Sequence, residues 1–501
     1  MPTSLDRRTF FGIAAAAATR IHGAPPPRAE FRVEGGQLQK RYDAAVAGLA
    51  AHTLRINRFP APVLIEGGNY PGVWLECAPL EGLIWGVAAN HDIFFDFQRE
   101  DGYIPCYVWR NKTGTAQIQM VVPIAATAFE EYNRTGDREF LERAYRACSR
   151  WDAWLAKYRN TRGAGLCEAF CEYDTGHDGS PRFQGKPREC PNEDARLCPK
   201  VDGLPYLAPD LSASVYGGRM ALAAMARELG RADEATGWLE RARVTRTAIL
   251  DHLYDPGDAC FYDLDAHGRF VRIRGDLLTR VLGEHVVTRE MFETIWRKQI
   301  GNPAAFWTPY PFPSIAYDDP AFVRPIPRNS WGGASQALTA LRAPRWMEHY
   351  GKRAGLTRLM RQWVKAIVAA PGFLQQMDPQ TGVFTPDGGP YSPAMLVLFD
   401  FAWRLYGVRR QGAEFEWNCR LPEGAAACRA SLGAAQLATT RDGSELTLDG
   451  RTVLHVLGAC RVVTDAAGKP LRLIGTEPRP TEVTLGRNTY QLAPDSVVGL
   501  A

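Results

Sequence analysis

The chain has 501 residues, 46% hydrophobic and 23% charged, a composition suited to one large folded domain plus a smaller one. Its 59 basic and 55 acidic residues leave a formal charge of +4 with no dense Lys/Arg run. That balance excludes nucleic acid and anionic membrane surfaces as expected partners.

In chain order, residues 1–24 read as a targeting segment. Asp6-Arg7-Arg8-Thr9-Phe10-Phe11 resembles the twin-arginine export motif, and a short, weakly apolar run, Gly12 to Ala18, follows it. The expectation is export to the periplasm or beyond, with no stable membrane anchor, because no later run of about 18 apolar residues is present. Residues 25–64 read as a lead-in. The main domain is drawn at 65–408, and from about 119 to 407 the periodicity is helical. Gln119 to Tyr132 reads as a helix. Phe140, Leu141, Ala144, Tyr145, Cys148, Trp151, Leu155 and Tyr158 then share one face of a second, which Asp137 can cap. The hairpin recurs as 211–229 with 233–254, and as 336–350 with 356–370. Long irregular connections at 160–209 and 301–335 separate these pairs, and loops of that length are usually functional. Hairpins of this kind, without a fixed short repeat, fit an (α/α)6 toroid. Residues 409–501 switch to period two. Asp449-Gly450 between alternating runs marks a β-hairpin. Cys460 to Thr464, Leu471 to Ile474 and Thr481 to Leu485 read as further strands. The fold class is therefore mainly α, with a small C-terminal β-sandwich-like domain, expected to be a packing accessory, with carbohydrate binding as the alternative.

The chain has 11 cysteines. Cys167, Cys171, Cys190 and Cys198 crowd one loop-rich stretch. Their spacings do not match the usual C-x2-C zinc pairs, so one or two disulfides are expected there (Cys167/Cys171, Cys190/Cys198), with free thiols elsewhere.

The 13 Trp and 18 Tyr tilt the reading toward sugar stacking, although any single Trp is more often core. The segment from Gly165 to Arg182 packs Glu172, Asp174, His177, Asp178 and Arg182 among Gly, Ser and Pro. Glycosidic cleavage needs a carboxylic acid to protonate the leaving oxygen, and inversion adds a second carboxylate to activate water.

Asp174-Thr175-Gly176-His177-Asp178-Gly179-Ser180-Pro181-Arg182 resembles the Glu-Ser-Gly-(Trp/Met)-Asp-x-Ser-x-Arg segment of trehalases, processing α-glucosidases and mannosylglycerate hydrolases (glycoside hydrolase families 37 and 63 and relatives). Other motifs follow in the family's order over about residues 65–407. They are Gln98 to Pro105, Asn133 to Asp137, Pro209 to Ala213, and Asp378-Pro379-Gln380-Thr381-Gly382. The resemblance implies a six-hairpin toroid, an α-linked glycoside or oligosaccharide substrate, inversion, no cofactor, and Asp178 as general acid. It implies a pocket drawn from Trp74, Gln98, Asp101, Asp174, Arg182, Asp210, Trp331, Gln375 and Gln376. The chain departs where relatives carry a basic Glu, reading Phe373-Leu374-Gln375-Gln376-Met377-Asp378. A neutral amide cannot deprotonate water, so the base falls to Asp378 or Glu76, with Glu81 a further candidate. Trp74-Leu75-Glu76-Cys77 replaces the family's Trp-x-Trp-Asp. Tyr391-Ser392-Pro393 falls where relatives have an aromatic-Ser pocket segment. No metal site is expected, since only His91 and His177 lie near these loops. Two alternatives stand beside hydrolysis. One is epimerisation or elimination on the same toroid, with His177 or Tyr173 as base. The other is glycan binding without catalysis. Released reducing sugar, an isomer or unsaturated sugar, or neither would separate the three.

Overall fold

A computed structural model describes residues 29–386 and 388–500. The twin-arginine-like motif and the rest of 1–24 lie outside the described residues. The chain divides into two units, Lys40–Phe401 and a second made of the remaining N-terminal residues with 402–501. The lead-in drawn at 25–64 is thus not a segment of its own. Its strand Ala29–Glu34 pairs antiparallel with Ala427–Leu432, Ala29 opposite Leu432 and Glu34 opposite Ala427, while residues from 40 onward belong to the helical unit.

The helical unit is built from hairpins. Ile124–Thr135 precedes Arg138–Tyr158, Pro209–Glu228 precedes Ala232–Leu253, and Ala337–His349 precedes Arg353–Ala369. The Asp137 carboxylate accepts a hydrogen bond from the Phe140 amide, so it caps as its residue type predicts. Gly136 closes the preceding helix in the left-handed conformation, at φ 69°. The first helix of that pair starts later than its periodicity suggests. Gln119 sits at φ 41° and Pro123 is extended, so residues 119–123 are a bent lead-in rather than a first turn. The apolar faces meet in a core that includes Phe140, Leu141, Tyr145, Trp151, Leu211, Leu222, Met225 and Trp238.

The long connections are not structureless. Two-residue strands tie them together: Glu168–Ala169, Tyr206–Leu207, Asp263–Leu264 and Phe270–Val271 form one small sheet. Val73–Trp74 pairs with Tyr107–Val108, and Ser335–Gln336 with Gln376–Met377. These short ladders bring loops distant in sequence to common positions. Among the described residues, no helix is long and apolar enough to cross a membrane.

The second unit holds a seven-stranded and a five-stranded antiparallel sheet. Trp417, Cys419, Val462 and Leu473 from one share an apolar core with Leu437, Leu446, Val456 and Val483 from the other. Asp449 (φ 49°) and Gly450 (φ 73°) make the turn between Gly443–Leu448 and Arg451–Leu457, the two positive φ angles of a tight hairpin.

All eleven cysteines carry free thiols. The pairs expected from spacing do not form. Cys171 faces Cys190 across 3.8 Å, whereas Cys167 belongs to the main helical core.

Candidate active site

The loop after helix Arg138–Tyr158 is held by a buried ion pair. Arg159, at that helix's C-terminus, forks onto Asp174, with Nη2 donating to Oδ1 at 3.0 Å. The Asp174 carboxylate also accepts from the amides of Ile118, Phe170 and Cys171 at 2.9, 2.7 and 3.2 Å. With five donors around it and no exposure, Asp174 anchors the loop and is not a sugar contact, which corrects its sequence assignment.

A second anchor lies eight residues on. The Arg182 guanidinium donates in pairs to Asp210, both at 2.7 Å, and to Asp263, and once to His177 Nδ1 at 3.1 Å. The strand Asp263–Leu264 brings Asp263 here by pairing Leu264 with Leu207. Burial alone would raise Asp210, but Arg182 outweighs it and holds the carboxyl at about 2. His177 Nε2 bonds Asp276, whose other oxygen accepts from Thr339 Oγ1 at 2.8 Å. Burial, then Arg280, pushes His177 down to about 4, so it is neutral at pH 7. Both its ring nitrogens are engaged, which removes it as the base of an epimerase or lyase. Arg182 and Asp210 are likewise spent on each other, and they position the loop rather than reach into a pocket.

What these anchors present is Asp178. Its carbonyl accepts from the Trp331 amide at 2.8 Å, and the Glu172 carboxylate accepts from the next amide, Gly179, at 2.6 Å. The Asp178 carboxyl is raised to about 7, first by burial, then by the charges of Glu76 and Glu172, with Arg188 opposing. Glu76 follows the strand Val73–Trp74. Its Oε1 accepts from Gln119 Nε2 at 3.2 Å, while Oε2 has no partner among the described residues. That oxygen lies against Gly176, where a Cβ would stand 1.8 Å away, and Gly176 is itself at φ 62°. A side chain there would have to displace the Glu76 carboxylate and hold a left-handed backbone that L residues rarely adopt. Burial raises Glu76 too, but Arg280 and Arg342 oppose it. Both guanidinium groups lie over the Trp331 ring, at 5.2 and 5.9 Å from its centre.

Aromatic side chains form a wall beside these carboxyls. Trp74 meets Tyr70 edge-on at 5.3 Å and Tyr107 at 5.9 Å, and Trp331 belongs to the same apolar cluster. Gln375 joins through Asn329. Its Nε2 donates to Asn329 Oδ1 at 2.8 Å, Asn329 donates to the Tyr70 hydroxyl at 2.7 Å, and Gln375 Oε1 is left without a partner. Gln376 is engaged instead. It accepts from the Ser330 amide and Gln336 and donates to the Pro327 carbonyl, so it shapes the turn before Trp331.

The structure thus gathers Trp74, Glu76, Asp178, Trp331 and Gln375. Three expected members stand apart. Gln98 donates to the carbonyls of Gly102 and Ala147, docking its loop on helix Arg138–Tyr158. Asp101 accepts from the Tyr103 amide and pairs with Arg99. Asp378 caps its own turn, accepting from the amides of Gln380 and Thr381 at 2.9 and 2.8 Å, and is not the base. Sequence reasoning missed Glu66. It is buried, accepts from the Tyr391 hydroxyl at 2.7 Å, and is raised well above the carboxylate range by burial and by Glu81, Glu76 and Asp178. The signal was a lone acid in the Gly/Pro-rich run from Glu66 to Gly72. Glu81 is also buried and raised to about 8, by burial first and further by Glu76, with the neighbouring Cys77 thiol opposing.

The profile of the mannosylglycerate hydrolase MGH1-like glycoside hydrolase domain matches residues 87–415. No curated protein sequence matches the chain. Among solved structures, a family-63 mannosylglycerate hydrolase of Thermus thermophilus, in complex with Tris and D-glycerate, is similar with TM-score 0.59 and 17% identity. The match covers 73% of this chain and 100% of that one. The same enzyme in complex with glucose gives 0.58 and 18%, covering 72% and 99%. A neutral trehalase of Saccharomyces cerevisiae gives 0.51 and 13%, covering 69% and 75%. At these identities the structural likeness speaks to the fold.

Proposed function

The chain belongs to the mannosylglycerate hydrolase MGH1-like glycoside hydrolase family, and from that premise we propose that it is an exported, inverting hydrolase of an α-linked glycoside with Asp178 as general acid. In this reading the helical hairpins close an (α/α)6 toroid whose loops carry the site. The substrate is a small glycoside or oligosaccharide, and no cofactor takes part.

The observation that carries the reading is the placing of two neighbouring carboxyls, both raised by burial, of which Glu76 has two arginines beside it. Asp178, raised to about 7, holds a proton at neutral pH and can give it to a departing glycosidic oxygen. Glu76 faces two arginines that favour its ionised form, and one of its oxygens is unpartnered. Inversion requires a base that draws a proton from water while the acid holds its own, and the two arginines beside Glu76 favour its ionised form against its burial. Its charge is also the first electrostatic cause of the raised Asp178 proton affinity. Trp74 and Trp331 offer ring faces for the sugar's C–H surface. Gln375, with its free carbonyl oxygen, offers a hydroxyl contact where relatives have their base.

The test is a screen of the purified protein against aryl glycosides and disaccharides, with the first-formed anomer read by NMR. Release of reducing sugar with inverted configuration supports the proposal. A retained anomer overturns inversion, and an unsaturated or isomerised product overturns hydrolysis. For export, fusion of residues 1–24 to a reporter that only the twin-arginine route transports should give periplasmic signal. Its loss on Arg7→Lys/Arg8→Lys is the expected control.

A further inference from the structure

Cys171 and Cys190 enclose the loop that carries Asp178, and their sulfurs stand 3.8 Å apart. The two limbs of the loop run beside each other just inside them. The Glu172 amide donates to the Pro187 carbonyl at 3.0 Å, and the Tyr173 amide to the Arg188 carbonyl at 3.1 Å. Each cysteine is separately fastened. The Cys171 amide donates to Asp174, itself locked by Arg159, and the Cys190 amide donates to the Ala116 carbonyl at 2.9 Å. The thiols are therefore held together by backbone contacts that do not depend on a bond between them.

We infer that Cys171 and Cys190 are a disulfide-forming pair that covalently closes the Asp178 loop. A disulfide needs sulfurs about 2 Å apart, so the two must approach by less than the width of an atom, within side-chain torsion reach. The oxidant is a disulfide, either of a small thiol or of a protein. The Cys190 thiolate attacks one of its sulfurs, forming a mixed disulfide and releasing one thiol. The Cys171 thiolate then attacks the Cys190 sulfur, forming the internal bond and releasing the second thiol. Two electrons and two protons pass from the cysteines to the oxidant. Cys190 is the entry point, being 4% exposed where Cys171 is fully covered. Burial raises the Cys171 thiol above its ordinary range, so closure is slow near neutrality and quickens with alkali or with opening of the loop.

Metal binding is the competing use, since Cys171, Asp174 and Cys190 converge. Asp174 is unsuited to it. Its oxygens are filled by Arg159 and three amides, and the Arg159 guanidinium, whose Nη2 lies 3.7 Å from Cys190 Sγ, repels a cation. The expected pairs Cys167/Cys171 and Cys190/Cys198 are excluded as first products by position. Cys171 and Cys190 are already neighbours, with Cys198 at the cluster's edge and Cys167 in another core.

The test uses the full chain, reduced and then incubated with oxidised glutathione. It is quenched with acid, alkylated and mapped by mass spectrometry without reduction. The expected result is a linked peptide pair holding Cys171 and Cys190, lighter by two hydrogens than the free thiols. A rise in Tm on the order of 5 °C should accompany it, from closure of the loop. Cys171→Ala should lose both, with glycosidase turnover in the reduced state unchanged. Separate alkylation of both cysteines after prolonged oxidation, a link to Cys167 or Cys198 instead, or protection of both thiols by added zinc without bond formation overturns the inference. The mapping is read on the wild-type chain, so it stands even if the variant fails to fold. It is also independent of the catalytic roles proposed above.

Discussion

Replacing Asp178 by Asn should remove activity and, above neutral pH, stabilise the protein. The two effects share one cause. The Asp178 carboxyl is raised from 3.8 to about 7, chiefly by burial and by Glu76. A raised carboxyl binds its proton more tightly in the native state than in the unfolded chain. The stability this group contributes is therefore full below about pH 4 and is lost as pH climbs toward 7. Three pH units correspond to about 4 kcal/mol as an upper bound, and partial solvent access at the rim reduces this to roughly 2 kcal/mol. Asn has the shape of the protonated acid and does not titrate, so the variant escapes the loss. Differential scanning calorimetry of both proteins from pH 4 to 8 should give coincident Tm values at the acid end. At pH 8 the variant should melt higher by about 2–4 °C. On a substrate with a poor leaving group, turnover should fall by about 10²–10⁴-fold, and by less on an activated aryl glycoside that needs little protonation. A Tm difference that stays flat with pH, or near-full activity on the poor leaving group, would refute the reasoning.

Glu76→Gln should lower turnover on every substrate, activated or not, by about 10²-fold or more, because water attack is needed in each case; pre-steady-state and steady-state rates would read this. Asp174→Asn strands the buried Arg159 charge and should cost about 3–5 kcal/mol in chemical denaturation, with turnover falling as well because the loop that presents Asp178 loses its anchor. Asp378→Ala should cost about 1 kcal/mol through its lost turn and leave kcat unchanged, whereas a drop of two orders of magnitude would restore Asp378 as the base.

The hairpins were legible because a buried helix face repeats every three to four residues, as Phe140 to Tyr158 do, and because Asp137 and Gly136 punctuate them by mechanisms local to the chain. The hairpin at Asp449-Gly450 was legible for the same reason. The first helix was misjudged at its start because Pro123, and not apolar spacing, decides where the chain can begin to coil. In the site, residue type located the loop but not each side chain's employment. Asp174, Asp178 and Arg182 look alike as polar residues in a turn. Arg159 and Asp263, remote in sequence, commit Asp174 and Arg182 to structure and leave Asp178 facing the aromatic wall. Glu66 escaped notice because its worth depends on Tyr391, which reaches it only in the folded chain. Gln98 and Asp101 matched a motif whose residues here dock a loop onto a helix.

Strand Ala29–Glu34 has a consequence for how the protein is made. It leaves the ribosome before the helical unit, whereas its partner, Ala427–Leu432, leaves after it. At about 5–20 residues per second the strand waits on the order of 20–80 s for that partner. Throughout that interval the entire helical unit emerges and can coil without it. The β unit is therefore discontinuous in the chain and can complete only after the helical unit has been synthesised. A fragment beginning at residue 409 would lack this outermost strand and expose Ala427–Leu432 as a raw sheet edge, a surface prone to pairing with other chains.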